Sequence, residues 1–194
     1  AIPLADIATW ATAVSNLIGN LTAGAKPSAQ IENIANTLPE FSEKLDAQFV
    51  ATTKSLEGEP TLETLQNEQQ QWHSAKLQAT GWLNALTLQA TKLQDSLNQL
   101  AELQKLWSST RAPAQAAKAP GRILQQIDAT LTVITEAQAP LQAQRANILN
   151  LQSRVAEEAT RCGTALQRIA DFQQKAVAGI LVQDAPPIWT IHLW

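Results

Sequence analysis

Leu65, Trp72, Ala79, Leu86, Leu93, Leu100 and Trp107 follow one another at steps of seven, and after a short gap Ile127, Ile134, Leu141, Ile148, Val155, Cys162, Ile169 and Ala176 do the same. A helix returns a side chain to nearly the same direction every two turns. An apolar repeat of that period, sustained this long, is what a helix needs when it packs lengthwise on a partner. The two series predict two long helices whose apolar edges meet. A second apolar column accompanies each. In the first helix it comprises Leu62, Leu83, Ala90 and Leu97, interrupted by Gln69, Lys76 and Gln104. In the second it comprises Leu124, Leu131, Ala159, Leu166 and Ile180, interrupted by Arg145 and Gln152.

The ends of these helices follow from local chemistry. Thr61 is placed to cap the first, Glu63 suits its opening turn, and the repeat persists to about Ser109. The stretch "SSTRAPAQAAKAP", with Pro113 and Pro120 and no apolar period, reads as a hairpin tip at 108–120. The second helix is expected from about Pro120 to about Gln183, bent at Pro140, where one backbone donor is missing. Residues 61–183 thus form an antiparallel coiled-coil hairpin.

Residues 1–60 supply shorter helices. Leu4, Ile7, Ala11, Val14, Leu17, Ile18 and Leu21 mark one from about Pro3 to about Thr22, stopped by Gly24 and Pro27, with Ser28 as the next N-cap. Ile31, Ile34, Leu38, Phe41, Leu45, Phe49 and Leu56 mark the segment after it. There Thr37, Pro39 and Glu40 read as a capping-box restart, so the segment is either two helices or one kinked helix, ended by Gly58 and Pro60. The surplus of the last helix, Gln167 to Gln183, needs a partner for its stripe, and the N-terminal helices are the available one. The expected fold is therefore all-α: one domain over 1–194, an elongated hairpin with the shorter helices bundled at one end, a projecting tip, both termini at the bundle end, and a tail at 184–194.

Composition excludes several classes of function. The formal charge of −3 argues against nucleic acid and against a polybasic membrane anchor. One cysteine permits no internal disulfide and no paired-cysteine metal cluster. The sequence has no stretch of about 20 apolar residues, the length that spans a bilayer. A chain that opens on Ala1 and contains no methionine reads as a processed or excised one.

Candidate chemistry is sparse. Cys162 lies on the inner seam without a nearby histidine and reads as a small buried hydrophobe. His73 and His192 each lack a second ligand. Glu157 and Glu158 lie about 100° apart around the helix, too far to act as paired acid and base, and read as solvated surface. Arg145, Arg154, Arg161 and Arg168, at spacings of nine and seven, read as helix-surface partners of Glu157, Glu158 and Asp171, the alternative being a stripe for an anionic partner. Trp72, Trp82 and Trp107 read as core or groove-filling residues, the alternative being a stacking site for a carbohydrate or drug, and Asn20, Leu21 and Thr22 form a glycosylation sequon. No catalytic, cofactor-binding or metal-binding residue is assigned, no cofactor is expected, and the chain does not read as an enzyme.

The end of the chain supplies a further clue. "QDAPPIWTIHLW" leaves a helix through two prolines into an aromatic, nearly uncharged tail, as chains do before entering a membrane; the alternative is that Ile188 and Trp189 fold back and cap the bundle. The stretch "GRILQQIDATLTVITEAQAPLQAQRANILNLQSRVAEE", followed by "FQQKAVAGILVQDAPPIW", resembles the N-terminal extramembrane helical region of large bacterial mechanosensitive channels of the small-conductance family. The resemblance covers Leu100 to Trp189 and is strongest at Asp184, Pro186, Pro187 and Trp189. It implies a periplasmic domain of an inner-membrane protein, a processed N-terminus, a membrane span after Trp194 and assembly with copies of itself. Two other readings fit the same pattern: a periplasmic ligand-binding sensor bundle, and a coiled-coil adaptor of the cell envelope that docks a partner through Arg111 and Lys118 at its tip.

Overall fold

The computed structural model describes residues 1–58 and 60–183, with side chains through Ala176. Its elements are a 3-10 turn at Leu4–Asp6 and four α-helices: α1 (Ile7–Gly24), α2 (Ala29–Glu57), α3 (Leu62–Ala116) and α4 (Gly121–Gln183). The fold is all-α, a hairpin of α3 and α4 bundled with the N-terminal helices. The tail at 184–194 and the side chain of Ile180 lie outside the described residues.

The steps of seven form the core. From Leu65 to Trp107 every member of the α3 series is buried, and the series continues to Ala114; from Ile127 to Ile169 every member of the α4 series is buried, while Ala176 is exposed. Each large apolar side chain withdrawn from water contributes about 1.5–3 kcal/mol. The exposed ion pairs at Lys44–Glu40 and Arg111–Asp128 are screened by solvent and contribute little. Burial along the seams therefore dominates.

The second column is where the expectation changes. Leu62 is exposed, and Leu83, Ala90, Leu97, Leu124, Leu131, Ala159 and Leu166 are only half-buried. The columns that join the core lie on the opposite side of each seam, at Glu68, Ala75, Trp82, Gln89, Ser96, Leu103 and Thr110 in α3, and at Thr130, Ala137, Gln144, Leu151, Glu158, Ala165 and Phe172 in α4. All of these are buried or half-buried. Three of their polar members find partners on the N-terminal part of the chain: Gln89 on the Ala25 carbonyl, Thr110 on the Ile2 N–H and Glu158 on the Ser42 hydroxyl.

The chain divides into two compact units, the first built from α1, the start of α2 and parts of α3 and α4, the second from the rest of α2, α3 and α4. The first comprises Ala1–Ala35 with Asn84–Ser153. In it α1 runs antiparallel to the last part of α3: the Ile2 N–H donates to Thr110 Oγ1 (3.0 Å), and Gln89 Nε2 donates to the Ala25 carbonyl (3.2 Å). The same α1 borders α4 along a shallow groove from Ala11 and Val14 to Thr130 and Val133. The expectation of a bare tip with the N-terminus at the far end is corrected. Ile2 is buried beside Thr110, and α1 covers the tip half of the hairpin because the polar column there can be satisfied by its backbone.

The second unit comprises Asn36–Leu83 with the chain from Arg154 onward. Here α2 is antiparallel to α3, with Phe41 edge-on to Trp82 and Phe49 edge-on to Trp72, and parallel to α4, with Ser42 bonded to Glu158 and Thr53 to Arg168. Its core gathers Leu45, Leu65, Trp72, Cys162, Ala165 and Ile169. The α4 surplus thus packs on α2, not on α1.

Helix ends mostly obey their capping residues. Ser28 Oγ accepts from the Ile31 N–H (3.4 Å) and Thr61 Oγ1 from the Thr64 N–H (3.2 Å), as the sequence predicts. Gly24 ends α1 without a left-handed turn. Pro39 does not divide α2, which is one helix, and Pro140 lies inside an uninterrupted α4. α3 runs past the expected end near Ser109 to Ala116, with Pro113 inside it. Alanine, the strongest helix former, dominates this stretch, and Ala114 is anchored in the core. The connection is short. The Lys118 N–H donates to the Gln115 carbonyl and the Ala119 N–H to the Ala114 carbonyl, a Schellman closure with Lys118 in the left-handed conformation at φ 52°.

Candidate functional site

Three places bring polar side chains together, and each is assembled by one unit alone. The first is the polar seam between α2 and α4 in the second unit. Ser42 Oγ donates to Glu158 Oε1 (2.6 Å), the other carboxylate oxygen lies 3.0 Å from Arg161 Nη1, and the same nitrogen lies 2.6 Å from Asp46 Oδ1. The two arginine contacts are charge contacts without hydrogen-bond alignment. Glu158 is 6 % exposed, which corrects its reading as solvated surface; Glu157 is exposed as expected. One residue separates the two fates, because a step of 100° carries the side chain from solvent to the face that α2 covers.

Cys162 lies one turn beyond Glu158 and is fully buried, as its place in the series of seven predicts. Burial, reinforced by the negative charge of Glu158, pushes its thiol up to about 11. A buried thiol held neutral in this way is a poor nucleophile near neutral pH. The seam provides an anchored register between helices rather than a reacting pair. Trp72 belongs to the same anchoring: its indole N–H donates to Thr52 Oγ1 (3.0 Å), so the hydroxyl of α2 satisfies the one polar atom of a fully buried ring.

The second place is an open groove of about 670 Å³ bordered by Lys76 and Leu83 of α3 and by Ala156, Ala159, Gly163 and Arg168 of α4. No acid lines it. Small residues at successive turns of α4 form its floor, so it is shallow. Arg168 is already engaged, stacked 4.8 Å over the Phe49 ring with a long contact to Thr53 Oγ1. Of the four arginines assigned to surface pairing, only Arg161 forms an ion pair among the described residues, with Glu158 and Asp46.

The third place is the hairpin tip in the first unit. Arg111 donates to both carboxylate oxygens of Asp128 across the hairpin. The hydrogen bond holds the Asp128 carboxyl below its usual range and the Arg111 guanidinium above its own. Lys118 and Arg122 are exposed beside this pair and have no ion-pair partner among the described residues.

Trp107 is fully buried on the α3 seam, but its indole nitrogen has no hydrogen-bond partner. Trp82 is half-buried against Phe41, and His73 is exposed. Asn20 is exposed on α1, while the Thr22 hydroxyl of the sequon is bonded to the Ile18 carbonyl. His192, Asp184, Pro186, Pro187 and Trp189 lie outside the described residues. Among the described residues no group of three histidine, cysteine or carboxylate side chains is placed to hold a metal ion, and no helix is long and apolar enough to cross a membrane.

Sequence reasoning missed Gln89, Thr110, Thr130 and Glu158 as interior residues. The signal was present, since each lies a multiple of seven from apolar members of its column: Trp82 and Leu103 in α3, Ala137 and Leu151 in α4. No protein-family model, no curated protein and no solved structure matches the chain.

Proposed function

We propose that this chain is a non-catalytic periplasmic domain of a mechanosensitive channel of the small-conductance family, contributing stiffness, assembly or partner contact to an inner-membrane protein. The observation that carries the reading is the core column of α3 and α4, which runs at steps of seven without a break from Leu65 to Ala114 and from Ile127 to Ile169. A helix buried on one edge over so many turns resists bending, because every step off axis opens a packed seam. The buried polar groups favour the same reading: Glu158, Cys162 and Trp72 have partners or environments suited to anchoring, not to chemistry. The resemblance of residues 100–189 to the extramembrane region of such channels supplies the family and the compartment.

The test is electrophysiological. Removing residues 1–182 from the parent channel is expected to move the tension at which it opens in patch-clamp recordings. An unchanged threshold excludes a role in gating. A ligand-binding sensor is the second reading, favoured by the acid-free groove between Lys76 and Arg168. It predicts that a small anion raises the melting temperature of the chain and that Lys76→Ala abolishes the rise.

A further inference from the structure

Where α2 ends, its last turns and α4 border a groove of about 320 Å³ that lies wholly within the second unit. Thr53, Leu56 and Glu57 line it from α2, and Arg168, Asp171, Phe172 and Lys175 from α4. On each helix these residues recur at steps of three and four, so each set forms one stripe. Leu56 and Phe172 are half-buried and make an apolar floor. Around it stand two acids, Glu57 and Asp171, and two cations, Arg168 and Lys175, all exposed. The volume falls at the small end of the range of about 300–1,000 Å³ that small-molecule sites occupy.

The four charges do not neutralise one another. Arg168 and Asp171 are three residues apart, and Asp171 and Lys175 four, the spacings at which opposite charges pair on a helix. Yet no ion pair joins any two of the four among the described residues. Two of them are held by other partners. The Arg168 guanidinium is stacked 4.8 Å over the Phe49 ring, with Nη1 3.4 Å from Thr53 Oγ1, and Asp171 Oδ1 accepts from Gln167 Nε2 (2.8 Å). Each contact fixes the group and uses only part of its hydrogen-bonding capacity. Glu57 is the last residue of α2, the helix end that disfavours an acid, so its charge there has no local reason. Lys54 shares that turn but does not line the groove.

The geometry points to a binding site for a free α-amino acid with an apolar side chain. The ammonium of the ligand meets Glu57, Asp171 and the negative end of the α2 dipole. Its carboxylate meets Arg168, whose planar fork suits two oxygens, and Lys175 adds a second cation one turn beyond Asp171. Its side chain lies on Leu56 and Phe172. A ligand of one sign faces as many like charges as opposite ones in this groove, and an uncharged ligand shields four charged groups from water without replacing their hydrogen bonds. The site goes beyond the channel reading and does not depend on it.

The experiment is isothermal titration calorimetry of the whole chain with leucine and with phenylalanine at low salt. Binding is expected. Isocaproate and isoamylamine, which are leucine without its ammonium and without its carboxylate, are expected to bind about tenfold more weakly or worse. Glu57→Gln with Asp171→Asn is expected to weaken leucine binding by about tenfold or more, as is Arg168→Gln, each variant keeping the parent's helical circular dichroism. Lys76→Ala, in the neighbouring acid-free groove, is expected to leave leucine binding unchanged, which separates this site from the anion site of the sensor reading. Failure of both amino acids to bind overturns the proposal. So does isocaproate binding as tight as that of leucine, which marks a site for an anion alone, and so does leucine binding that the Glu57 and Asp171 changes leave intact.

Discussion

Trp72 and Thr52 are joined by a 3.0 Å hydrogen bond inside the core of the second unit, whereas Trp107, equally buried on the same helix, has an indole N–H with no partner. The two rings occupy equivalent positions in one series of seven but differ in what the covering helix offers them. A buried donor left without an acceptor costs about 1–3 kcal/mol, so the difference should be measurable. Thr52→Val is expected to destabilise by about that amount, although it keeps the shape of the side chain. Trp107→Phe is expected to cost less than Trp72→Phe, because it removes an unsatisfied donor along with the lost area. Urea unfolding of the three variants, read by circular dichroism, checks both statements.

The Ser42–Glu158–Arg161 contact makes a prediction of the opposite kind. Glu158→Ala should destabilise by about 1–3 kcal/mol, since it leaves the Ser42 hydroxyl without its acceptor and removes one of the two charges facing Arg161. Glu158→Leu together with Ser42→Ala should recover most of the loss, because replacing both partners by apolar groups avoids an orphan. Recovery absent from the double variant would show that the seam has no room for the isobutyl group.

The Cys162 thiol is raised by burial to about 11 from an ordinary value of 9.0. Between these two values the unfolded chain ionises first, so the folded state holds more protons and stability falls as pH rises. Below about 9 the contribution is fully present, and above about 11 it is lost. The melting temperature of the parent is expected to fall more steeply than that of Cys162→Ala across this window. At neutral pH the native chain should react slowly with an aromatic disulfide reagent and rapidly once unfolded.

Lys118 and Gly81 hold conformations suited to each other's residue type. Lys118→Gly relieves a left-handed backbone and is expected to stabilise by about 0.5–1 kcal/mol after the greater freedom of unfolded glycine is counted. Gly81 lies within α3 with nothing within 4 Å of where a Cβ would stand, so Gly81→Ala should stabilise by a similar amount, about 0.5–1 kcal/mol. In a chain of this size each change corresponds to a rise of roughly 2–4 °C per kcal/mol in calorimetry.

The tip shows where local sequence signals fall short. Pro113 and the loss of large apolar residues after Trp107 read as the end of a helix, yet α3 reaches Ala116. Thr110 explains part of this, since its hydroxyl donates to the Leu106 carbonyl while accepting from the Ile2 N–H, tying the turn before the proline to the N-terminus. The acceptor role depends on a residue 108 positions away in the chain.

The heptad series determined by themselves that α3 and α4 are long helices and which edge of each is buried, because a period of seven has one helical solution and apolar area supplies the dominant energy. Ser28 and Thr61 likewise declared their caps, since a cap is made within a few residues. Which flank of each seam would be covered was decided by tertiary structure. The flank chosen contains Gln89, Thr110 and Glu158, and it is covered in place of the more apolar column of Leu83, Leu97 and Leu131 because the N-terminal segment and α2 bring backbone and hydroxyl partners to these three. A polar residue reads as surface until its partner is known, and the partner lies elsewhere in the chain.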